Sequence, residues 1–321
     1  MRAIVVSENG GPDVLTPTEV PDPQPGPDDL LVATDAIGIN FIDTYIRAGI
    51  YPTELPYVPG NEGTGVVVAV GSAVTEFGVG DRVAWADAAG GYAEKVVVPA
   101  SAAVDVPDGV APELAASALL QGMTAHYLIE SAYPARPGET VLVHAGAGGV
   151  GLLLTQMATA KGVKVITTVS TDEKEALSRE AGAWRVLRYG DALADKVREL
   201  TGGEGVAAVY DGVGKDTFDA SLDALRIRGT LVLFGAASGP VPPFDLQRLN
   251  AGGSLFVTRP TLAHYVHDRE ELSWRAGAVL DAIAAGTLKL RVGGSYPLDR
   301  AEQAHRDLEA RKTTGSIVLV P

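Results

Sequence analysis

The run Thr140-Val141-Leu142-Val143-His144-Ala145-Gly146-Ala147-Gly148-Gly149-Val150-Gly151 constrains the fold more than any other stretch of this chain. An apolar strand ends in a glycine cluster, and the cluster opens the helical segment Leu152-Leu153-Leu154-Thr155-Gln156-Met157-Ala158. Gly146, Gly148 and Gly151 satisfy G-x-G-x-x-G, a spacing in which one glycine makes the tight turn, one lets backbone approach a pyrophosphate, and one lets helix and strand pack closely. The chain has 38 glycines, so the triplet carries weight only through its context. That context is strand before and helix after, at the head of a series of alternating strands and helices.

The series predicts strands at Thr140–His144, Val163–Val169, Trp184–Leu187, Val206–Tyr210, Thr230–Phe234 and Ser254–Val257. Helices are expected between them, at Gly149–Ala160, Asp172–Ala181, Ala192–Leu200, Asp216–Leu225 and Phe244–Asn250. Parallel strands need crossovers, and a crossover helix must bury its apolar stripe on the sheet, so the reading is a doubly wound α/β domain. Before it, Met1 to about Ala103 reads as short β-rich runs with Gly and Pro between them, an all-β module, with Val20–Pro27 as an extended surface connection. Pro112–Ala132 turns helical. After Arg259 two helices, Asp268–Ala285 and Arg300–Arg311, precede a last strand, Ser316–Val320.

An acidic residue at the end of the second strand would hold the ribose 2′-hydroxyl of NAD. Here the strand ends at Ser170-Thr171 with Lys174 a helical turn later, which leaves room for a 2′-phosphate and a cation to neutralise it. NADP(H) is therefore the expected cofactor, although Asp172 and Glu173 oppose that reading and Lys174 could equally be a solvated helix charge. The chain has no cysteine, which removes disulfides, thiol redox chemistry and thiolate zinc sites together. His126, His144, His264, His267 and His305 show no metal-binding spacing, and no G-x-S-x-G or H-E-x-x-H motif occurs. A net charge of −14 repels phosphate backbones and argues against general nucleic-acid binding. No apolar run approaches the ~18 residues of a membrane span, and a soluble cytoplasmic protein is expected.

Further motifs run along almost the whole chain: Asn40-Phe41-Ile42-Asp43-Thr44-Tyr45, Pro59-Gly60-Asn61-Glu62-Gly63, Gly80-Asp81-Arg82-Val83, Gly182-Ala183, Tyr210-Asp211, Phe234-Gly235 and Val257-Thr258-Arg259-Pro260. In this order, with the glycine loop, they resemble the zinc-free quinone oxidoreductases related to zeta-crystallin, within the medium-chain dehydrogenase/reductase superfamily. The resemblance implies a GroES-like catalytic domain formed by both ends of the chain, a Rossmann domain between them, an active site in the cleft and a homodimer through an edge of the Rossmann sheet. The division this implies is residues 1–122, 123–258 and 259–321. Zinc-dependent relatives use Cys and His ligands and commonly carry His where this chain has Asn61, so no zinc is expected.

Carried over residue by residue, the cofactor contacts fall on Thr124, Gly146, Gly148, Gly149, Val150, Gly151, Ser170, Lys174, Tyr189, Phe234, Gly235, Val257 and Arg259. The quinone pocket falls on Asn40, Tyr45 and Tyr51, with Arg259 nearby. The family's Ser after the aspartate of the fourth strand is Gly212 here, which removes one cofactor hydrogen bond. The implied reaction is NADPH-dependent reduction of a quinone by hydride transfer without metal. Reduction of an α,β-unsaturated ketone or enoyl thioester, and a non-catalytic NADPH-binding protein, stand as alternatives. Each residue also has a quieter reading: Tyr45 in a turn covering an apolar edge, Tyr51 as packing beside Pro52, Asn40 bonding local backbone, and Arg259 paired with a carboxylate. Glu62 and Asp43 fit a buried structural carboxylate as well as a catalytic one.

Overall fold

A computed structural model describes residues 1–321. The chain forms two compact units, Met1–Met123 with Val266–Pro321, and Thr124–Tyr265. These divisions fall one residue after the first expected boundary and seven after the second. Tyr265 stacks on Tyr127 with ring centroids 4.4 Å apart, which keeps the segment after Arg259 with the parallel-sheet unit.

The first unit opens with β1 (Arg2–Val5), β2 (Thr16–Glu19) and β3 (Asp29–Ile39), followed by α1 (Phe41–Arg47). Then come β4 (Glu62–Val70), β5 (Arg82–Trp85), β6 (Lys95–Pro99), β7 (Val104–Asp105), α2 (Pro112–Ala115) and α3 (Leu119–Tyr127). Residues 20–27 form no strand. The expectation of an all-β module fails at α1, a helix of seven residues. Its start is secured by a reciprocal pair: Asn40 N donates to Asp43 Oδ2 at 2.8 Å, and Asp43 N donates to the Asn40 carbonyl at 3.0 Å. The helix expected over Pro112–Ala132 is in fact α2, α3 and a π-turn at Leu128–Ala132.

The second unit holds β8 (Thr140–Val143), α4 (Gly149–Ala160), β9 (Lys164–Val169), α5 (Asp172–Glu180), β10 (Arg185–Arg188) and α6 (Leu193–Leu200). It continues with β11 (Val206–Asp211), α7 (Phe218–Asp223), β12 (Leu225–Leu233), α8 (Gln247–Ala251) and β13 (Phe256–Thr258). All six strands are parallel, in the order β10-β9-β8-β11-β12-β13. The winding reverses between β8 and β11, and right-handed crossovers then put helices on opposite faces of the two halves. This is the Rossmann arrangement. The crevice at that reversal opens beyond the carboxyl end of β8, where the glycine loop begins. Leu142, Ile166, Val209 and Leu231, none of them exposed, fill the core of this sheet.

The chain returns to the first unit through α9 (Arg269–Ala284), β14 (Val292–Pro297), α10 (Ala301–Glu309) and β15 (Ser316–Val320). β15 lies between β14 and β3 in the sheet β14-β15-β3-β4-β5-β7, and Ile317 faces Ile39 across the antiparallel pair. Both ends of the chain thus build one sheet, as a GroES-like domain requires.

Candidate active site

In the parallel-sheet unit the glycines separate into two kinds. A Cβ on Gly146 would stand 2.5 Å from Thr167 Cβ, and one on Gly151 would stand 2.3 Å from the Ala145 carbonyl oxygen. Those two are required by packing. A Cβ on Gly148 would meet only that same oxygen, at 3.3 Å, so no comparable packing demand explains this glycine. Gly148 is the N-cap of α4, with Gly149 and Val150 in its first turn, all three half-buried. The arrangement offers helix N-terminal N–H groups beside bare backbone, which suits the pyrophosphate of a dinucleotide.

Beneath the loop, a buried relay joins the carboxyl ends of three strands. Ser221 Oγ donates to Asp211 Oδ2 at 2.8 Å, so its oxygen receives His144 Nε2 at 3.0 Å, and His144 Nδ1 then accepts from Thr168 Oγ1 at 2.8 Å. Burial pushes the His144 pKa down, which suits the neutral ring this relay needs. Asp211 also accepts from Val213 N, Gly214 N and Thr217 Oγ1, which holds the residues after β11 in a turn and delays α7 to Phe218. Tyr189 accepts from Ala145 N at 2.9 Å, and its ring stacks on His144. It therefore braces the loop directly.

Ser170 follows β9 and is exposed; Lys174 is half-buried, its backbone N–H held by the N-cap Thr171 Oγ1 at 3.2 Å. Arg188, at the end of β10, was not anticipated from sequence. It donates to the Thr171 carbonyl at 2.8 Å and pairs with Asp172 and with Glu175 at 2.9 Å, offsetting the acidic charges that flank Lys174. A guanidinium at this turn suits a 2′-phosphate. At Gly212, a Cβ would stand 2.8 Å from the Phe234 ring, and one on Gly235 would stand 2.5 Å from the Gly212 carbonyl. The missing serine is thus matched by an aromatic ring lying where its side chain would begin. Thr124 is buried in α3, Val257 is half-buried on β13, and Arg259 is exposed just beyond it, donating to the Pro260 carbonyl at 3.2 Å. No carboxylate bond to Arg259 accompanies this contact.

In the other unit, α1 gathers three of the four residues expected around the acceptor. Asn40 caps it, Tyr45 lies on it, and Tyr51 follows it. Tyr45 is therefore helical, correcting its expected place in a turn. Its ring meets that of Tyr51 edge-on at 5.9 Å, and the Ile50 and Tyr51 N–H groups both point at the Tyr45 carbonyl. Arg259 belongs to the parallel-sheet unit.

Asn40 is 5% exposed and does more than cap a helix. Its Nδ2 donates to Glu62 Oε2 at 2.7 Å, and its Oδ1 accepts from Gln121 Nε2 at 3.0 Å. Glu62 is fully buried; burial pushes its pKa up to about 8, against the pull of the Asn40 amide and the Leu120 N–H. Burial likewise pushes Asp43 up to about 7. Asp43 accepts from the Tyr92 hydroxyl, Tyr92 contacts His305 Nε2, and His305 Nδ1 contacts Arg47, so this circuit begins and ends on α1. Sequence reasoning missed Gln121, His305 and Arg47, which lie far along the chain from the residues they hold or show no motif of their own.

No three His, Asp or Glu side chains converge as metal ligands, there is no cysteine, and the Asn61 carbonyl is engaged by Ala88 N. The donor set does not fit a zinc ion. The glycine loop and the 170–174 turn do fit a phosphorylated dinucleotide.

Residues 26–108 match the family model "Alcohol dehydrogenase GroES-like domain", and residues 149–268 match "Zinc-binding dehydrogenase". The quinone oxidoreductase of Pseudomonas aeruginosa is 47% identical, covering 100% of this chain and 99% of the relative. The chain belongs to the quinone oxidoreductase branch of the medium-chain dehydrogenase/reductase superfamily. A mycobacterial member solved in complex with NADPH is 61% identical, covers 100% of both chains and superposes with a TM-score of 0.98. The 2-haloacrylate reductase of a Burkholderia species is 42% identical over 100% of this chain and 99% of its own. Within this superfamily the chain is thus an oxidoreductase that covers nearly the whole length of these relatives, and no set of its side chains converges as the zinc ligands that one of the matching models is named for.

Proposed function

We propose that this chain is an NADPH:quinone oxidoreductase that works without zinc. The observation that carries the reading is the set of hydroxyl and amide donors on and beside α1 in a chain with no metal-ligand set. An electrophilic quinone needs only modest polarisation, which such donors supply. NADPH, when bound, supplies the hydride; with one proton from water the quinone becomes a hydroquinone.

The chain's own residues have separable tasks in this proposal. Gly148, Gly149 and Val150 receive the pyrophosphate, backed by Gly146 and Gly151. Ser170 and Lys174 receive the 2′-phosphate, with Tyr189, Phe234, Gly235, Val257 and Thr124 shaping the rest of the cofactor site. Tyr45, Tyr51, Asn40 and Arg259 donate to the acceptor oxygen as negative charge develops on it. The homology with a 2-haloacrylate reductase favours a second reading, reduction of an activated C=C bond by the same donors. We also propose a cytoplasmic homodimer formed through β13, the edge of the parallel sheet, where Phe256 is 60% exposed. No helix is long and apolar enough to cross a membrane.

The test is anaerobic loss of NADPH absorbance on adding a simple para- or ortho-quinone, with NADH in parallel. Rapid oxidation of NADPH in preference to NADH supports the reading. Consumption with a haloacrylate or enone but not with quinone transfers it to the second reaction, and consumption with neither leaves a cofactor-binding protein without this chemistry.

A further inference from the structure

A buried chain of hydrogen bonds runs through Asn40, and its direction is defined at each link. Ser316 Oγ donates to Gln121 Oε1 at 2.7 Å, Gln121 Nε2 donates to Asn40 Oδ1 at 3.0 Å, and Asn40 Nδ2 donates to Glu62 Oε2 at 2.7 Å. Leu120 N closes the far side by donating to Glu62 Oε1 at 2.7 Å. The four side chains come from β15, α3, the N-cap of α1 and the start of β4, and all are at least nine-tenths buried.

The oxygen and nitrogen of an Asn amide have nearly the same size, so packing alone does not choose between its two orientations; the bonding partners do. Above about pH 8 Glu62 is ionised, and its Oε2, which can then only accept, draws Nδ2 towards it. The Gln121 amide makes the same choice from the other side, because its carbonyl is taken by Ser316 and only its nitrogen is left for Asn40. With Oδ1 turned to Gln121 and one amide hydrogen given to Glu62, the remaining hydrogen-bonding hydrogen of Asn40 is the second one on Nδ2.

We infer that Gln121 is a positioning residue that makes Asn40 a one-way donor, so that the site favours the carbonyl oxygen of the oxidised substrate over the hydroxyl of the reduced product. The inference rests on the proposed contact between Asn40 and the acceptor. A quinone oxygen can only accept; a hydroquinone hydroxyl is bound best by a group that can accept from it. An Asn40 amide locked in the donor sense discriminates between the two, whereas one free to flip does not.

Gln121→Met keeps the length of the side chain and removes both of its hydrogen bonds. The experiment, run above pH 8 where Glu62 is ionised, measures kcat and KM for a para-quinone, the inhibition constant of the matching hydroquinone, NADPH affinity by fluorescence, and thermal unfolding. The expected result is a fall of about tenfold in kcat/KM for the quinone, the scale of one oriented hydrogen bond, with NADPH affinity unchanged and hydroquinone inhibition equal or tighter. Ser316→Ala, which removes only the outer link, shifts the quinone-to-hydroquinone ratio the same way by a smaller factor, and it serves if Gln121→Met does not fold. A proportional weakening of quinone and hydroquinone overturns the inference, because that is what simple loosening of the site would do. Unchanged kinetics in Gln121→Met also overturns it while leaving the quinone reductase reading intact. A wild-type protein that oxidises no NADPH with quinone overturns the functional reading and this inference with it.

Discussion

Replacing His305 by leucine probes the circuit that holds α1. Arg47, 2% exposed, places Nη1 2.8 Å from His305 Nδ1, and arginine cannot accept, so Nδ1 carries the lone pair and Nε2 the hydrogen. That hydrogen points at the Tyr92 oxygen 2.9 Å away, and Tyr92 passes its own hydrogen to Asp43 Oδ2 at 3.0 Å. Leucine removes the acceptor for a buried guanidinium and the donor for a buried phenol. Breaking a buried charged contact on one side costs ~3–5 kcal/mol. Glu309 still pairs with Arg47 Nη2, so the lower figure, ~3 kcal/mol, is expected at pH 8. Burial and the neighbouring Arg47 push His305 down to about 3. The unfolded chain takes up a proton below about 6.5 while the folded chain does not, so wild-type stability is present above that pH and lost as pH falls towards 3. The loss approaches ~1.4 kcal/mol per pH unit, and the leucine variant lacks it. The deficit of the variant should therefore shrink from ~3 kcal/mol at pH 8 almost to zero near pH 4.5. Urea unfolding followed by tryptophan fluorescence at several pH values measures this, and His305→Gln, which keeps one acceptor and one donor, should recover at least half of the loss at pH 8. A deficit constant across pH, or below ~1 kcal/mol at pH 8, refutes the reasoning.

The two kinds of glycine predict two kinds of failure: Gly151→Ala should lower stability measurably, whereas Gly148→Ala should fold normally and lose at least tenfold in NADPH affinity by fluorescence titration. Lys174→Ala should weaken NADPH by about tenfold and leave NADH nearly unchanged, a ratio read from parallel KM values. Tyr45→Phe should lower turnover more than NADPH affinity; steady-state kinetics showing the reverse would remove Tyr45 from the acceptor site. Asp43 and Glu62 titrate near 7 and 8 in the folded state, above their unfolded values. Between about pH 5 and 8 their contribution to stability should decline as pH rises, and proton release tracked with a pH indicator on alkaline transfer tests it.

The parallel-sheet unit was largely readable in the sequence because its signals are local. The helix after the glycine loop and the last strand have the bounds that periodicity indicates, Gly149–Ala160 and Ser316–Val320. β12 begins at Leu225, earlier than expected, and its pairing with β11 shifts register between Leu225 and Thr230, where Arg228 takes a positive φ of 57° in a segment that looks like a turn. α1 was hidden for the opposite reason: seven residues are too few to show a helical period. The contacts that orient Asn40 span 22, 81 and 195 residues along its relay, and no local pattern marks them. Arg188 was equally silent, since only the pairing of Arg188 with Val169 brings it to the turn after β9.

The position of β15 between β14 and β3 has a consequence for biosynthesis. The parallel-sheet unit is one uninterrupted stretch and can close as soon as its last strand has left the ribosome. β3, made much earlier, pairs with β6 over residues 29–33, but the rest of that edge stays unpaired until residues 316–320 arrive, with Ile37, Gly38 and Ile39 waiting for Leu319, Val318 and Ile317. An open edge of this kind invites pairing with another chain. The growing polypeptide must therefore carry a finished nucleotide-binding half beside an incomplete β-rich half for much of its synthesis, and the interval of greatest aggregation risk ends only when the final strand slides into the middle of the sheet.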